Sequence, residues 1–169
     1  MSEQQISLKT VYDLRVDASG APIRYRIPAY QRGYRWTPIQ VTQLLDDIRE
    51  FTKRQNPKPE QFYCLQPLVL RANDNGAFDV VDGQQRLTTL LLILRHFNER
   101  LAAEYRDNLY TLEFETRADL NSFLENPTEA QAASNIDYFH IAQAVRTIKD
   151  WFKERTNEVE KIKELLRCL

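Results

Sequence analysis

The segment Phe78-Asp79-Val80-Val81-Asp82-Gly83-Gln84-Gln85-Arg86-Leu87-Thr88-Thr89-Leu90 constrains the fold more than any other stretch of the chain. Residues 78–81 have strand character and run into Asp82-Gly83. A helical stripe follows at once, through Leu87, Leu90, Leu91, Leu94, Phe97, Leu101 and Tyr105. The first N–H groups of such a helix have no backbone acceptor, and its dipole puts partial positive charge there. An oxyanion such as phosphate suits that position. Gly83 lets the backbone approach closely and take a conformation that other residues resist. Arg86 can bridge phosphate oxygens with its planar fork. Gln84 and Gln85 can hold a ribose, a phosphate oxygen or an attacking water, and Asp82 can bind Mg2+ or orient that water. A plainer reading stands beside this one: Asp82-Gly83 is a turn, Asp82 an N-cap and the glutamines good helix formers. The pattern is neither a P-loop nor a GxGxxG fingerprint.

The elements around this segment are legible from spacing and punctuation. Residues 6–14 read as a short helix or turn and 17–22 as a loop. Residues 23–27, Ile-Arg-Tyr-Arg-Ile, alternate like a strand that Pro28 ends. Thr37 is an N-cap, Pro38 suits the first helical position and Gln40 completes a capping box. Val41, Leu44, Leu45, Ile48 and Phe51 then form one apolar stripe, closed by the proline-containing stretch 55–60. Residues 62–70 read as a strand, bulged or at an edge near Pro67, and Asn73-Asp74-Asn75-Gly76 joins it in a hairpin to the strand at 78–81. Residues 109–114 suggest a further strand, and 119–125, 135–155 and 158–167 suggest helices.

Charge is informative by position. The net charge of -1 offers no general argument for nucleic acid. Between Asp17 and Asp46, however, there is no acidic residue, while Arg24, Arg26, Arg32 and Arg35 fall there among Tyr25, Tyr30, Tyr34 and Trp36. A locally positive, aromatic-rich stretch in a near-neutral chain points to an anionic ligand met at one place. Within it, Ile27-Pro28-Ala29-Tyr30-Gln31-Arg32-Gly33-Tyr34-Arg35-Trp36 forms a loop between a strand and a capped helix. Arg32 and Arg35 can contact phosphates, and Tyr30, Tyr34 or Trp36 can stack on a base. Alternatively, Tyr34 and Trp36 anchor the core and the arginines are solvated.

Several classes of protein are disfavoured. The longest apolar run, Leu90-Leu91-Leu92-Ile93-Leu94, stops at Arg95 and His96, well short of the roughly 18 residues that cross a bilayer. The start, Met1-Ser2-Glu3-Gln4-Gln5, has no export signature. Cys64 and Cys168 have no partner pattern, so neither zinc nor a disulfide framework is expected, and a reducing cytoplasm fits best. His96 and His140 stand alone on helices, and no nuclease motif is visible. Asp46 and Asp47 can reach Mg2+ but fit a solvated helix face better, and the charged runs Lys153-Glu154-Arg155 and Glu158 to Glu164 read as solvated helix.

Together the two long motifs resemble the N-terminal domain of the GmrSD-type, modification-dependent restriction endonucleases. That family's Ile-Pro-x-Tyr-Gln-Arg-x-Tyr-x-Trp is met at residues 27–36, and its Asp-Gly-Gln-Gln-Arg-Leu-x-Thr-Leu at 82–90. Leu45-Asp46-Asp47-Ile48 matches between them, and Arg117 and residues 135–138 are weaker markers. One departure is Gln66-Pro67, where the family has a glycine before the second motif. The resemblance implies a ParB/sulfiredoxin-like fold. It implies nucleoside triphosphate binding and hydrolysis with Mg2+, carried by Asp82, Gly83, Gln84, Gln85 and Arg86, with Gln31 and Arg32 facing the same pocket. It also implies control of an HNH nuclease domain that attacks phage DNA, plain or modified.

The expected architecture is therefore α+β: a small mixed sheet with packed helices over residues 1–116, then a helical subdomain over 117–169. Asp82, Gln84, Gln85 and Arg86 are the expected catalytic residues, with Asp82 as metal ligand. Tyr30, Gln31, Arg32, Arg35, Gly83, Thr88 and Thr89 are expected to bind the nucleotide. The last helix ends in the apolar stripe Val159, Ile162, Leu165, Leu166 and Leu169, which suggests the front of a longer protein or an end that packs or forms a homo-oligomer. Three rivals remain: a nucleotide- or DNA-binding module without chemistry, a nucleotide-dependent phosphotransferase, and a helical adaptor for proteins.

Overall fold

The computed structural model describes residues 6–53 and 64–168. The terminator at 55–60, the first residues of the strand expected at 62–70, Met1 to Gln5 and Leu169 lie outside the described residues.

Among the described residues four strands form one mixed sheet in the order β2-β3-β1-β4: β1 (Arg24–Ile27), β2 (Val69–Ala72), β3 (Phe78–Asp82) and β4 (Thr111–Phe114). β1 lies between β3 and β4, parallel to both, while β2 runs antiparallel to β3 at the edge. The alternation of Ile-Arg-Tyr-Arg-Ile explains the central place of β1. Tyr25 and Ile27 point into the core with Val80, Leu112 and Phe114. On the opposite face Arg26 lies beside Asp79 and Glu113 in the pairing register.

That opposite face is held by charge. Asp79 is 2% exposed. It accepts from Arg26 at 2.7 and 3.1 Å, from Arg71 at 3.0 Å and from Asn73 Nδ2 at 3.3 Å. These donors hold the Asp79 carboxyl well below the usual carboxylate range.

Among the described residues six helices complete the fold: α1 (Pro38–Thr52), α2 (Gln84–Asn98), α3 (Ala118–Glu125), α4 (Glu129–Ala132), α5 (Ile136–Lys153) and α6 (Val159–Cys168). The capping box at Thr37 forms, with Gln40 Oε1 accepting from the Thr37 N–H at 2.8 Å. All five expected stripe residues of α1 are buried. α2 is the central helix: every residue from Leu87 to Leu94 is buried, so it is apolar all round as a buried helix must be. The core is continuous across the expected boundary at 116/117, since Leu120, Phe123, Ile141, Phe152, Ile162 and Leu166 join the same cluster as the sheet and α2.

Several local expectations are corrected. α2 ends at Asn98, so Leu101 and Tyr105 do not continue its stripe, and Tyr105 is 71% exposed in a 3-10 turn. Strand pairing in the first arm of the hairpin begins only at Val69, with the register shift between Val69 and Leu70 rather than at Pro67. The hairpin turn forms as its residues require: the Asn73 N–H donates to Ala77 O at 2.9 Å and Gly76 takes φ +69°. Asp46 and Glu158 are not merely solvated. Asp46 accepts from Trp151 Nε1 at 2.9 Å, and Glu158 accepts from Arg49 at 2.5 and 2.7 Å.

Candidate functional site

β3 delivers Asp82 to the rim of the sheet, and Gly83 makes the turn into α2. Gly83 has φ +93°, a conformation that calls for glycine, whereas the 2.7 Å approach of a Cβ there to Leu68 Cδ1 would be met by a shift of that side-chain end. The first helical hydrogen bond runs from the Leu87 N–H to Gly83 O at 2.9 Å. The N–H groups of Gln84, Gln85 and Arg86 therefore have no intrahelical acceptor. Asp82 is exposed, and its carboxylate has no side-chain partner among the described residues.

The loop carrying the first motif is fastened onto this turn by glutamine amides. Gln31 Nε2 donates to Val81 O at 2.8 Å, and Gln84 Nε2 donates to Arg32 O at 2.6 Å. Gln85 works in both directions: Nε2 donates to Gly33 O at 3.0 Å, while Oε1 accepts from the N–H groups of Arg35 at 2.7 Å and Trp36 at 3.2 Å. Beneath them the Tyr34 hydroxyl meets Thr89 Oγ1 at 2.9 Å, with both residues fully buried. Thr89 and Thr88 also donate to the carbonyls of Gln85 and Gln84, each at 2.9 Å. A distance of about fifty residues in sequence becomes a set of direct bonds.

The other end of the loop is held from α5. Asp137 is 3% exposed and sits against Gly33, where any Cβ would overlap its carboxylate. It pairs with Arg35 and, at 3.1 Å, with Arg117 Nε. Arg35 also donates to Tyr34 O at 2.7 Å. Asn135 caps α5 beside it, its side chain accepting from the Asp137 N–H at 2.7 Å. Sequence reasoning did not find Asp137, although residues 135–138 and Arg117 were markers of the resemblance.

The expected site residues thus fall into two groups. Tyr30, Arg32, Asp82, Gly83 and Arg86 lie at the surface or half-buried around the start of α2, and Tyr30 is 68% exposed. Gln31 spends its side chain on Val81 O of β3, Gln84 and Gln85 theirs on the loop, and Arg35 pairs with Asp137 of α5, while Thr88 and Thr89 are inside the core. Arg86 reaches out to Gln66 Oε1. Gln66 has φ +74°, the one positive value among the described non-glycine residues.

A magnesium ion is a modest fit to these residues. Among the described residues no three His, Cys, Asp or Glu side chains cluster as metal ligands. Asp82 offers a single exposed carboxylate, which suits an ion held mostly by phosphate oxygens and water.

A mixed sheet and a buried central helix, with an arginine- and tyrosine-bearing loop clamped to the glycine turn between them, define an α+β domain built to present that turn. The family model described as the GmrSD restriction endonuclease, N-terminal domain, matches residues 12–167, and the chain belongs to this family. It is therefore part of a restriction endonuclease system, the anti-phage machinery whose substrate is DNA. No curated protein matches the chain. Among the described residues no helix is long and apolar enough to cross a membrane.

Proposed function

We propose that this domain binds a nucleoside triphosphate with its phosphates at the start of α2, hydrolyses it, and signals to a nuclease domain or partner of the restriction system in the cytoplasm. One observation carries the reading. The amides of Gln31, Gln84 and Gln85 hold the loop on the turn, which brings the loop bearing exposed Arg32 to the start of α2, where Asp82 is exposed, Arg86 reaches only Gln66 and the first N–H groups have no intrahelical acceptor among the described residues. Free N–H groups, a helix dipole and two guanidinium forks together favour a polyanion. Tyr30 is exposed enough to stack on a base of the nucleotide or of DNA.

In this reading the residues divide their labour. Arg86 and the N–H groups of Gln84 to Arg86 stabilise charge developing on the phosphates. Arg32 neutralises the distal phosphate, and Asp82 holds magnesium or a water. When bound with the nucleotide, the ion adds charge neutralisation and fixes phosphate geometry. Gln84, Gln85, Gln31, Arg35 and Thr89 act as positioning residues that keep the rim together.

A second reading has a specific observation behind it. Both motif glutamines are bonded to the loop, so neither is free to orient an attacking water unless it lets go. That favours a module which binds nucleotide or DNA phosphate and changes conformation without chemistry.

One assay separates the two: phosphate release from each of four triphosphates with Mg2+, with and without plain and modified DNA. Turnover that is lost in Asp82→Ala and Arg86→Ala, with both variants folded, supports hydrolysis. Saturable binding without phosphate release leaves the binding module. Transfer of labelled phosphate to an acceptor instead of water selects a phosphotransferase.

A further inference from the structure

At the end of α2 away from the glycine turn, the helix carries Arg95 and His96. Fifteen residues make α2 a rod of about 22 Å, so this end is remote from the rim described above. Both side chains line a cleft of about 380 Å³ walled by α2, the segment around Arg106 and Leu109, the end of α3 and α5. Leu92, Leu109, Val145 and Ile148 give it apolar walls, while Arg106 and Lys149 add positive charge.

Among the described residues, two side chains lining this cleft keep polar atoms that the protein does not satisfy. Arg95 Nη1 is buried without a hydrogen-bond partner, and so are both ring nitrogens of His96. His96 is 8% exposed and stacks on Phe152 with ring centroids 5.1 Å apart. Burial pushes its pKa down to about 4, so the ring is neutral near pH 7, with one nitrogen donating and the other accepting. Two carboxylates also line the cleft. Glu99 is engaged by Lys149 at 3.2 Å, and Glu125 is exposed and forms no ion pair with Arg95 among the described residues. Buried donors without acceptors are rare in folded proteins, and a guanidinium is the costliest of them to leave so.

We propose that this cleft is a second ligand site, taking a small hydroxylated oxyanion such as a hydroxy acid or a sugar phosphate. The oxyanion accepts from Arg95. The ligand's hydroxyl hydrogen-bonds to one ring nitrogen of His96, and its carbon skeleton lies on Leu92 and Ile148. Lys149 at the rim draws the anion in. The volume is in the range of small-molecule pockets.

The test is a titration of the 15N-labelled chain with malate and, separately, with glycerol 3-phosphate, following the His96 ring nitrogens and the Arg95 Nε–H by NMR. The expected result is a saturable shift of both signals with one or both ligands, which also tells carboxylate from phosphate. Affinity falls at least tenfold in Arg95→Met and several-fold in Lys149→Ala, and is unchanged in Arg86→Ala. No saturable shift with either ligand overturns the proposal. So does equal affinity in Arg95→Met, or a loss confined to Arg86→Ala, which would move the ligand to the start of α2. Should Arg95→Met fail to fold, Lys149→Ala decides, and wild-type affinity there overturns the site.

Discussion

The carboxylate of Asp137 occupies the space where a side chain on Gly33 would have to be. Glycine in the first motif is thus demanded by packing rather than by its own backbone freedom. The same carboxylate sits between Arg35 and Arg117, so one buried acid on α5 ties the loop to the helical half of the domain. Gly33→Ala must displace it, and displacing a buried charge from its partners costs roughly 2–4 kcal/mol. Urea unfolding monitored by circular dichroism measures this directly, and a midpoint equal to that of the parent chain would refute the packing argument.

Gln85→Ala separates a positioning glutamine from one that only orients water. It removes an acceptor for two backbone N–H groups and a donor to one carbonyl. Leaving such groups unpaired costs about 1–3 kcal/mol each, less than additively. A clear drop in thermal midpoint, with weaker nucleotide binding, is expected. Unchanged stability with lost turnover would instead assign Gln85 to the chemistry.

Gln66→Gly tests the bond between Gln66 and Arg86. A non-glycine residue at φ +74° carries strain of roughly 1–2 kcal/mol, which glycine relieves while adding freedom to the unfolded chain. Stability should stay close to that of the parent, and Arg86 is released. Nucleotide affinity by calorimetry should rise several-fold. A fall in affinity would mean that Gln66 holds Arg86 in its working position.

Acid should destabilise the fold in two windows. His96 has an ordinary value of 6.5 and a folded value of about 4. Between these the unfolded chain binds the extra proton, so stability falls as the pH drops through that range. Asp79 acts lower: its contribution is fully present above the ordinary value of 3.8 and is lost progressively below it. Chemical denaturation at a series of pH values should show a slope from 6.5 to 4 that His96→Leu flattens. Asp79→Asn should be less stable at neutral pH and less sensitive to acid below 4. A wild-type profile in either variant removes that residue from the account.

What could be read in advance was local. The capping box at Thr37, the hairpin turn at Asn73 to Gly76 and the entry into α2 at Gly83 depend on residues within a few positions of one another, and each forms. The alternation of residues 23–27 announced a strand but not its place between two parallel neighbours, because that is settled by pairing with segments some fifty and eighty-five residues away. The site followed the same division. Glycine, Arg86 and the helix start were visible as chemistry, whereas the partners of Gln84 and Gln85 are backbone atoms of another loop. No pattern of residue types signals those. Asp137 was hidden for a further reason: an acid near a helix start looks like an ordinary cap until the space beside Gly33 is known.

The most direct measurement of the central claim is the amide response of the α2 start to nucleotide. The 15N-labelled chain is titrated with a non-hydrolysable triphosphate and Mg2+, alongside the Arg86→Ala variant. The account predicts that the largest shifts fall on the N–H groups of residues 83–86 and on Arg32, and that Arg86→Ala weakens the titration at least tenfold. Saturable binding that leaves those amides unmoved would contradict it.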